Sequence, residues 1–332
     1  MAAKKRISIN DIAKAVGTSI TTVSFILNGK AKERRISDAV NKRVLDYVKK
    51  VGYKPSQLVR KPAGRTKVIA FLVENIGDPP FTEIGRYIEN IAAEHGYQIL
   101  YCEIANDANK TRQHIQLCIE KEVDGVIVVP PEDFEEVIDK IKGRIPMVLF
   151  DRCLPAAEIS YVVSDNRKGA YDATKYLLEQ GNKRIGLVSL YSNQTHIRGR
   201  LDGYMDAMDE FRMQSFIRKL SAESPVGERE EQVREFIVDN KLDAVLFVNH
   251  HLTINGLNAM KGQAAVWPQM TAFDDHMLYS LHAPAVSAIV QDTERIAAEL
   301  TQTLLMEIEG KLEEVRKIRV PCTLIVRESS IY

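Results

Sequence analysis

Residues 8–29 read SINDIAKAVGTSITTVSFILNG, and residues 43–58 read RVLDYVKKVGYKPSQL. In the first stretch Ile9, Ile12, Ala13 and Val16 fall at i, i+3, i+4 and i+7, which puts four apolar side chains on one helical face. Ser8, with Asp11 three residues later, resembles a capping box that starts this helix, and Gly17 ends it. After Thr18 the Ser19 hydroxyl is placed to cap a second helix. Its Val23, Ile26 and Leu27 turn inward and leave Thr21, Ser24, Phe25 and Asn28 outside. Asn28-Gly29 closes that helix, a basic loop follows, and Ser37 caps a third helix with Val40, Val44, Leu45, Val48 and Val51 on one stripe. Three short helices thus share one small core.

The 332 residues carry no net charge, but the charge is divided unevenly. The first 67 residues hold 17 Lys and Arg against four acids, Asp11, Glu33, Asp38 and Asp46, while the remainder holds 28 against 41. A small basic module of this kind meets a polyanion, and the acidic remainder keeps the molecule soluble and off non-specific DNA. Two helices joined by a tight turn, the second presenting small polar groups, also satisfy what insertion into a major groove requires. On charge alone a three-helix protein-interaction domain would fit as well. The length exceeds what one core usually organises, so two or three folding units are expected. Cys102, Cys118, Cys153 and Cys322 lack metal-ligand spacing and read as reduced structural thiols. The basic N-terminus is not followed by an apolar stretch with a cleavage site, and no apolar run approaches membrane-spanning length, so a cytoplasmic location is expected.

The two quoted stretches resemble the headpiece of the lactose-repressor (LacI/GalR) family in nearly every defining position, and a weaker similarity continues to the C-terminus. The resemblance implies an all-α helix-turn-helix headpiece over residues 1–54, a hinge over 55–66, and an α/β two-lobed periplasmic-binding-protein-like domain over 67–332. It implies that Ile20, Thr21 and Phe25 read bases, and that Ser19, Thr22, Ser24 and Asn28 contact phosphate and sugar. Phe25 departs from the polar reader, often Arg or His, that the family carries there. A phenyl ring cannot make the bidentate contact to guanine but can touch a thymine methyl, so an A·T pair is expected where Phe25 lands. The loop GKAKERRIS, residues 29–37, adds Lys30, Lys32, Arg34 and Arg35 and reads either as extra phosphate contacts or as a solvated loop.

Residues 53–66, YKPSQLVRKPAGRT, sit where the family has a linker that becomes a short helix on the operator and wedges a leucine into the minor groove. Pro62 aligns with that leucine. It lacks an amide donor, would crowd the carbonyl of Leu58 in a helix and biases Lys61 toward extended geometry, so a hinge helix is expected to be short or to end before Lys61. Proline can itself wedge between base steps, and a plain linker is the other reading.

From Lys67 onward, short β-branched runs alternate with helix-length amphipathic stretches: KVIAFLVE, YQILYCEI, DGVIVVP and IPMVLFD, then KRIGLVSL, DAVLFVNH and MTAFDD. This alternation argues for parallel sheets with helices on both faces, in two similar lobes, with the chain crossing near residues 160–165 and 288–292. Ligands in open α/β sheets bind beyond the carboxyl ends of strands, where Phe81, Asp151, Arg200, Asn249, Asp274 and Gln291 fall. By resemblance, Phe81 walls the pocket, Arg200 clamps effector hydroxyls or carboxylates, Asn249 and Asp274 bind hydroxyls, and Gln291 lies at the crossing between lobes. The family usually has Asn-Asp where this chain has Asn249-His250, and often aromatic-Phe where it has Pro80-Phe81. No convincing aromatic residue falls around residues 221–227, so the pocket is remodelled.

Dinucleotide, phosphate-loop, nucleophile-elbow and zinc-spaced motifs are missing, which argues against an enzyme and for a chain with no cofactor and no metal. Adjacent helical side chains point about 100° apart, so His250 and His251 are expected to diverge rather than share a metal. Asp274 and Asp275 are likewise expected to face different ways. The expected function is a sequence-specific transcription regulator that binds a palindromic double-stranded DNA operator as a homodimer, away from membranes, under control of a small sugar-like effector. The alternative is a cytosolic sugar-binding protein or enzyme of the same α/β fold.

Overall fold

The computed structural model describes residues 9–27, 31, 34, 36–51, 65–261 and 267–330. The chain forms two compact units, Met1–Gly64 and Arg65–Tyr332. In the first, α1 (Ile9–Val16), α2 (Ile20–Leu27) and α3 (Asp38–Lys50) enclose Ile12, Ala13, Val16, Val23, Ile26 and Val44. Gly17 closes α1 at φ +64°, a conformation that costs glycine nothing. The Ser19 hydroxyl accepts from the Thr22 amide at 3.0 Å, and Ser37 caps α3 through the Val40 amide at 3.5 Å. Leu45 departs from its expected place in the core and is 44% exposed. Val44 already fills that position, so the neighbouring side chain, about 100° round the helix, faces out, and Tyr47 joins Val40 and Val48 instead.

The second unit holds two six-stranded sheets. The first lobe comprises β1 (Val68–Val73), α4 (Pro79–Glu94), β2 (Gln98–Glu103), α5 (Ala108–Glu120), β3 (Gly125–Val128), α6 (Glu135–Ile141), β4 (Met147–Phe150) and β5 (Tyr161–Ser164). The chain then crosses to α7 (Asn166–Glu179), β6 (Ile185–Leu190), α8 (Thr195–Glu210), β7 (Phe216–Leu220), α9 (Val226–Asp239), β8 (Ala244–Phe247), α10 (His250–Met260), β9 (Gln269–Phe273), α11 (Met277–Leu281) and β10 (Ser287–Gln291). It returns through α12 (Thr293–Ile308) to β11 (Lys317–Val320), and then enters the second sheet once more as β12 (Cys322–Ile325). The strand orders are β11-β5-β4-β3-β1-β2 and β12-β10-β9-β8-β6-β7; among the described residues only β12 runs antiparallel to its neighbour.

Alternation along β1 sends Ile69, Phe71 and Val73 to a face covered by Ile84 and Ile88 of α4 and by Ile296, Leu300 and Leu304 of α12. Ala70 and Leu72 take the other face, with Ile115 and Cys118 of α5. Both lobes are held at the same point. Asp124, ahead of β3, accepts from the Thr66 and Lys67 amides at 2.8 and 3.0 Å, while Asp243, ahead of β8, accepts from the Lys183 and Arg184 amides, both at 2.9 Å. Thr66, read from the sequence as the last hinge residue, is thus tied into the second unit. The two expected crossings are present, and a third runs between Val320 and Cys322. Sequence periodicity misses it because β11 and β12 are edge strands, mostly half-buried or exposed, without the continuous apolar runs of the central strands.

Candidate DNA-reading face and effector cleft

On α2, Ile20 is 47% exposed and Thr21 is exposed. Thr22 is half-buried and hydrogen-bonds through its hydroxyl to Ser19 Oγ at 2.8 Å. Phe25 is half-buried, and the Arg34 guanidinium lies over its ring, 4.9 Å from the centroid. Arg34 thus sets a cation beside Phe25. Asn28, Leu58 and Pro62 lie outside the described residues, as does the Ser24 side chain.

In the second unit, three of the six expected effector residues meet in one buried network. Arg200, 2% exposed on α8, donates to the Val248 carbonyl at 2.6 Å, to Asn166 Oδ1 at 2.8 Å and to Asp274 Oδ2 at 3.3 Å. Its guanidinium stacks on Phe273, 3.6 Å from the ring centroid. Gln291 donates to Asp274 Oδ1 at 2.5 Å and is bonded through Oε1 to Ser164 Oγ. Ser164 and Asn166 flank the first crossing and Gln291 ends the strand at the second, so this network ties both crossing segments to the second lobe.

Asp151, at the end of β4, lies opposite. Burial pushes its carboxyl above the usual range, against the pull of Arg152 and Arg200. Arg152 pairs with Asp151 at 3.2 Å, reaches Glu74 and donates to Asn106 at 3.0 Å. Asn249 occupies the N-cap of α10, where Oδ1 accepts from the Leu252 amide at 2.9 Å, so that oxygen is committed to the helix. Phe81 packs edge-on against Phe150, centroids 5.8 Å apart, in the face shared with α4 and α12 rather than beside Arg200. Asp275 turns away from Asp274 to a bidentate pair with Arg327, at 2.9 and 2.7 Å.

Direct bonds close the cleft between lobes. Ser192 donates to Glu132 at 2.7 Å, Gln194 to Asn106 at 2.9 Å, and the Cys153 amide to Thr195 Oγ1 at 3.1 Å. Cavities of about 320 and 340 Å³ remain beside these contacts, both reaching Cys153, Thr195 and Arg198, and the second lined also by Asp151, Ser164 and Asn166. Sequence reading missed His196, which is buried with Nδ1 unpartnered and whose pKa is pushed well below 6.5 by burial, Arg152 and Arg200. Its place one turn before Arg200 on α8 was the available signal.

The expected divergence of His250 and His251 is corrected. Their rings lie 3.9 Å apart, because His250 is the first residue of α10, and both reach Asp78, the N-cap of α4 in the other lobe, at 3.7 and 3.4 Å. Burial pushes the Asp78 carboxyl up, but hydrogen bonds from both histidines outweigh it and hold the group well below the usual carboxylate range. The same hydrogen bond raises the His251 pKa.

A basic three-helix unit with a capped, outward-facing second helix, joined to a cleft between two parallel-sheet lobes, defines a class of DNA-binding proteins that carry a ligand-sensing domain. Residues 8–56 match the profile of the lacI family of bacterial regulatory proteins, and residues 69–312 match that of the periplasmic binding protein domain. The HTH-type transcriptional repressor PurR of Haemophilus influenzae (strain PittEE) is 29% identical over 335 residues, covering 97% of this chain and 98% of its own. The transcriptional regulator CelR in complex with cellobiose has the same fold, with a TM-score of 0.72 and 22% identity over 98% of this chain and 100% of its own. So does the lac repressor dimer bound to operator and the anti-inducer ONPF, with a TM-score of 0.72 and 16% identity over 99% of this chain and 100% of its own. The chain belongs to the lacI family of bacterial regulatory proteins and is a DNA-binding transcription regulator. Among the described residues no helix is long and apolar enough to cross a membrane.

Proposed function

We propose that this regulator is a cytoplasmic homodimeric repressor that reads a palindromic operator through Ile20, Thr21 and Phe25 and responds to a neutral, hydroxyl-rich effector, a sugar or sugar derivative, in the cleft between its lobes. The observation that carries the effector reading is the buried network of Arg200, Asp274, Gln291, Ser164 and Asn166. Its Ser164 and Asn166 line one of the cavities, and the buried Arg200 and Gln291, both bonded to Asp274, hold them where the chain passes between lobes. The buried cations of the cleft, Arg152 and Arg200, are already matched by Glu74, Asp151 and Asp274, which favours a neutral ligand; Arg198, exposed and reaching both cavities, is the cation on which a phosphorylated ligand would depend. Cavities of about 320–340 Å³ suit a molecule of monosaccharide to disaccharide size. CelR is seen in complex with cellobiose, which agrees with this ligand class.

An effector touching both lobes favours one lobe orientation, and two headpieces paired through the sensor domains convert that preference into operator affinity. The lac repressor, seen as a dimer on its operator, agrees with this assembly. The regulator reading is preferred to an enzyme of the same fold because the full-length relative is a repressor. The test is a thermal-shift screen of the full chain with cellobiose, D-ribose and fructose 1-phosphate, followed by gel shift on duplexes selected from a random pool. A neutral sugar is expected to raise the melting temperature and fructose 1-phosphate to leave it unchanged. Stabilisation by the phosphate alone would overturn the choice of ligand.

A further inference from the structure

The cluster at Asp78, His250 and His251 lies outside the Arg200 network and joins the two lobes. Asp78 caps the helix after the first strand of one lobe, and the two histidines open the helix after β8 of the other. The side chains are placed as a ligand set: His250 Nε2 is 3.7 Å from Asp78 Oδ1, and His251 Nε2 is 3.4 Å from Asp78 Oδ2. One ligand atom from each of the three lies within 4.8 Å of the others. Metal–ligand bonds of about 2.0–2.1 Å in a tetrahedral shell put neighbouring ligand atoms about 3.3 Å apart, so small side-chain adjustments would close this set on an ion. Asn75 Nδ2 donates to Asp78 Oδ1 at 3.0 Å and orients the carboxylate from behind, as outer partners of metal ligands do. The His250 side chain is 9% exposed and that of Asp78 17%, whereas His251 is 57% exposed, which leaves an approach from solvent.

We propose that Asp78, His250 and His251 form a binding site for a divalent transition-metal ion of the Zn²⁺ class, and that the bound ion pins the two lobes in the closed arrangement. Two imidazoles and one carboxylate suit such ions better than Mg²⁺ or Ca²⁺, which prefer oxygen-only shells. Three protein ligands leave at least one position for water or an effector hydroxyl. Because the ligands come from both lobes, opening the cleft must break the shell, so the ion acts as a second input to the closure equilibrium. The metal site does not depend on the effector reading; only its consequence for DNA affinity does.

The test uses Co²⁺ as a spectroscopic probe on the full-length protein. Titration is expected to give visible d–d absorption saturating at one equivalent, together with a higher melting temperature. Asp78→Asn and His251→Ala are each expected to weaken Co²⁺ binding by at least about tenfold. His251 is the safer variant for folding because it is half exposed. His95→Ala, a change at the far end of α4, is expected to bind Co²⁺ like the parent. The proposal is overturned by the absence of absorption at stoichiometric Co²⁺, by binding that survives both variants, by binding lost in His95→Ala, or by a thiolate charge-transfer band that places the ion on cysteine.

Discussion

At the end of β4 in the first lobe the backbone turns through Asp151 at φ +63°, and at the end of the corresponding β9 in the second lobe it turns through Asp274 at φ +69°. The surroundings of the two carboxylates differ. Asp274 meets a guanidinium reaching across from another helix of its own lobe and an amide from the crossing strand, whereas Asp151 meets the guanidinium of the next residue, which is also held by Glu74 and Asn106. A repeated fold therefore supplies two equivalent positions for an acid. Both basic partners are buried, but only that of the second is bonded to the crossing segment, and this makes the second lobe the anchor of the cleft.

Removing each acid tests that contrast most severely. Asp274→Ala strands Arg200 in a buried site and is expected to cost about 3–5 kcal/mol of stability in urea unfolding. Asp151→Ala leaves Arg152 with Glu74 and Asn106 and is expected to cost about 1–2 kcal/mol, near the ordinary range for single substitutions. Equal losses at the two positions would remove the asymmetry.

The helices behind the sheets give a smaller contrast. A Cβ at Gly203 of α8 would sit 2.1 Å from the Arg167 carbonyl oxygen of α7, whereas one at Gly85 of α4 would meet ring atoms of Tyr101 and Phe71 at 2.9 and 3.2 Å. Backbone cannot yield as side chains can. Gly203→Ala is therefore expected to cost about 3 kcal/mol and Gly85→Ala about 1 kcal/mol, as read by denaturant midpoints.

The third contrast lies in pH dependence. His196 of α8 is held neutral by burial, Arg152 and Arg200, while the corresponding position of α4 is Pro80, which does not titrate. The folded-state pKa of His196 lies below its unfolded value, so below about pH 6.5 the unfolded chain takes up a proton that the folded one refuses, and stability falls as pH falls. His251, raised by Asp78, works in the opposite direction in the same range, so the informative quantity is the difference between parent and variant. His196→Gln is expected to flatten the loss between pH 7 and 5; an unchanged slope would mean that His196 is protonated in the fold.

The sequence disclosed the headpiece and most of both sheets because their strands are continuous apolar runs and their helices carry regular apolar spacing. Leu45 was misplaced because Val44, next to it, is equally apolar, and composition cannot choose between neighbours. The edge strands KIRV and CTLI are only partly buried and lack the continuous apolar run that marks GVIV, MVLF and AVLF, strands of the same length. In the cleft, Arg200, Asp274 and Gln291 were legible through family resemblance. Their partners Ser164 and Asn166 were not, because bonds to residues 127 and 34 positions away leave no local pattern. Asp78 and His250 are separated in the same way, and local helix geometry pointed away from the convergence that a helix N-terminus allows.

Coupling between cleft and headpiece is tested most directly by fluorescence anisotropy of the full-length protein on a duplex selected from a random pool, with and without the sugar that raises its melting temperature. Saturating sugar is expected to change DNA affinity by about 5–150-fold, and Asp274→Asn to abolish the change at the same sugar concentration. A sugar that stabilises the protein yet leaves DNA affinity unaltered would contradict control of the operator through the cleft.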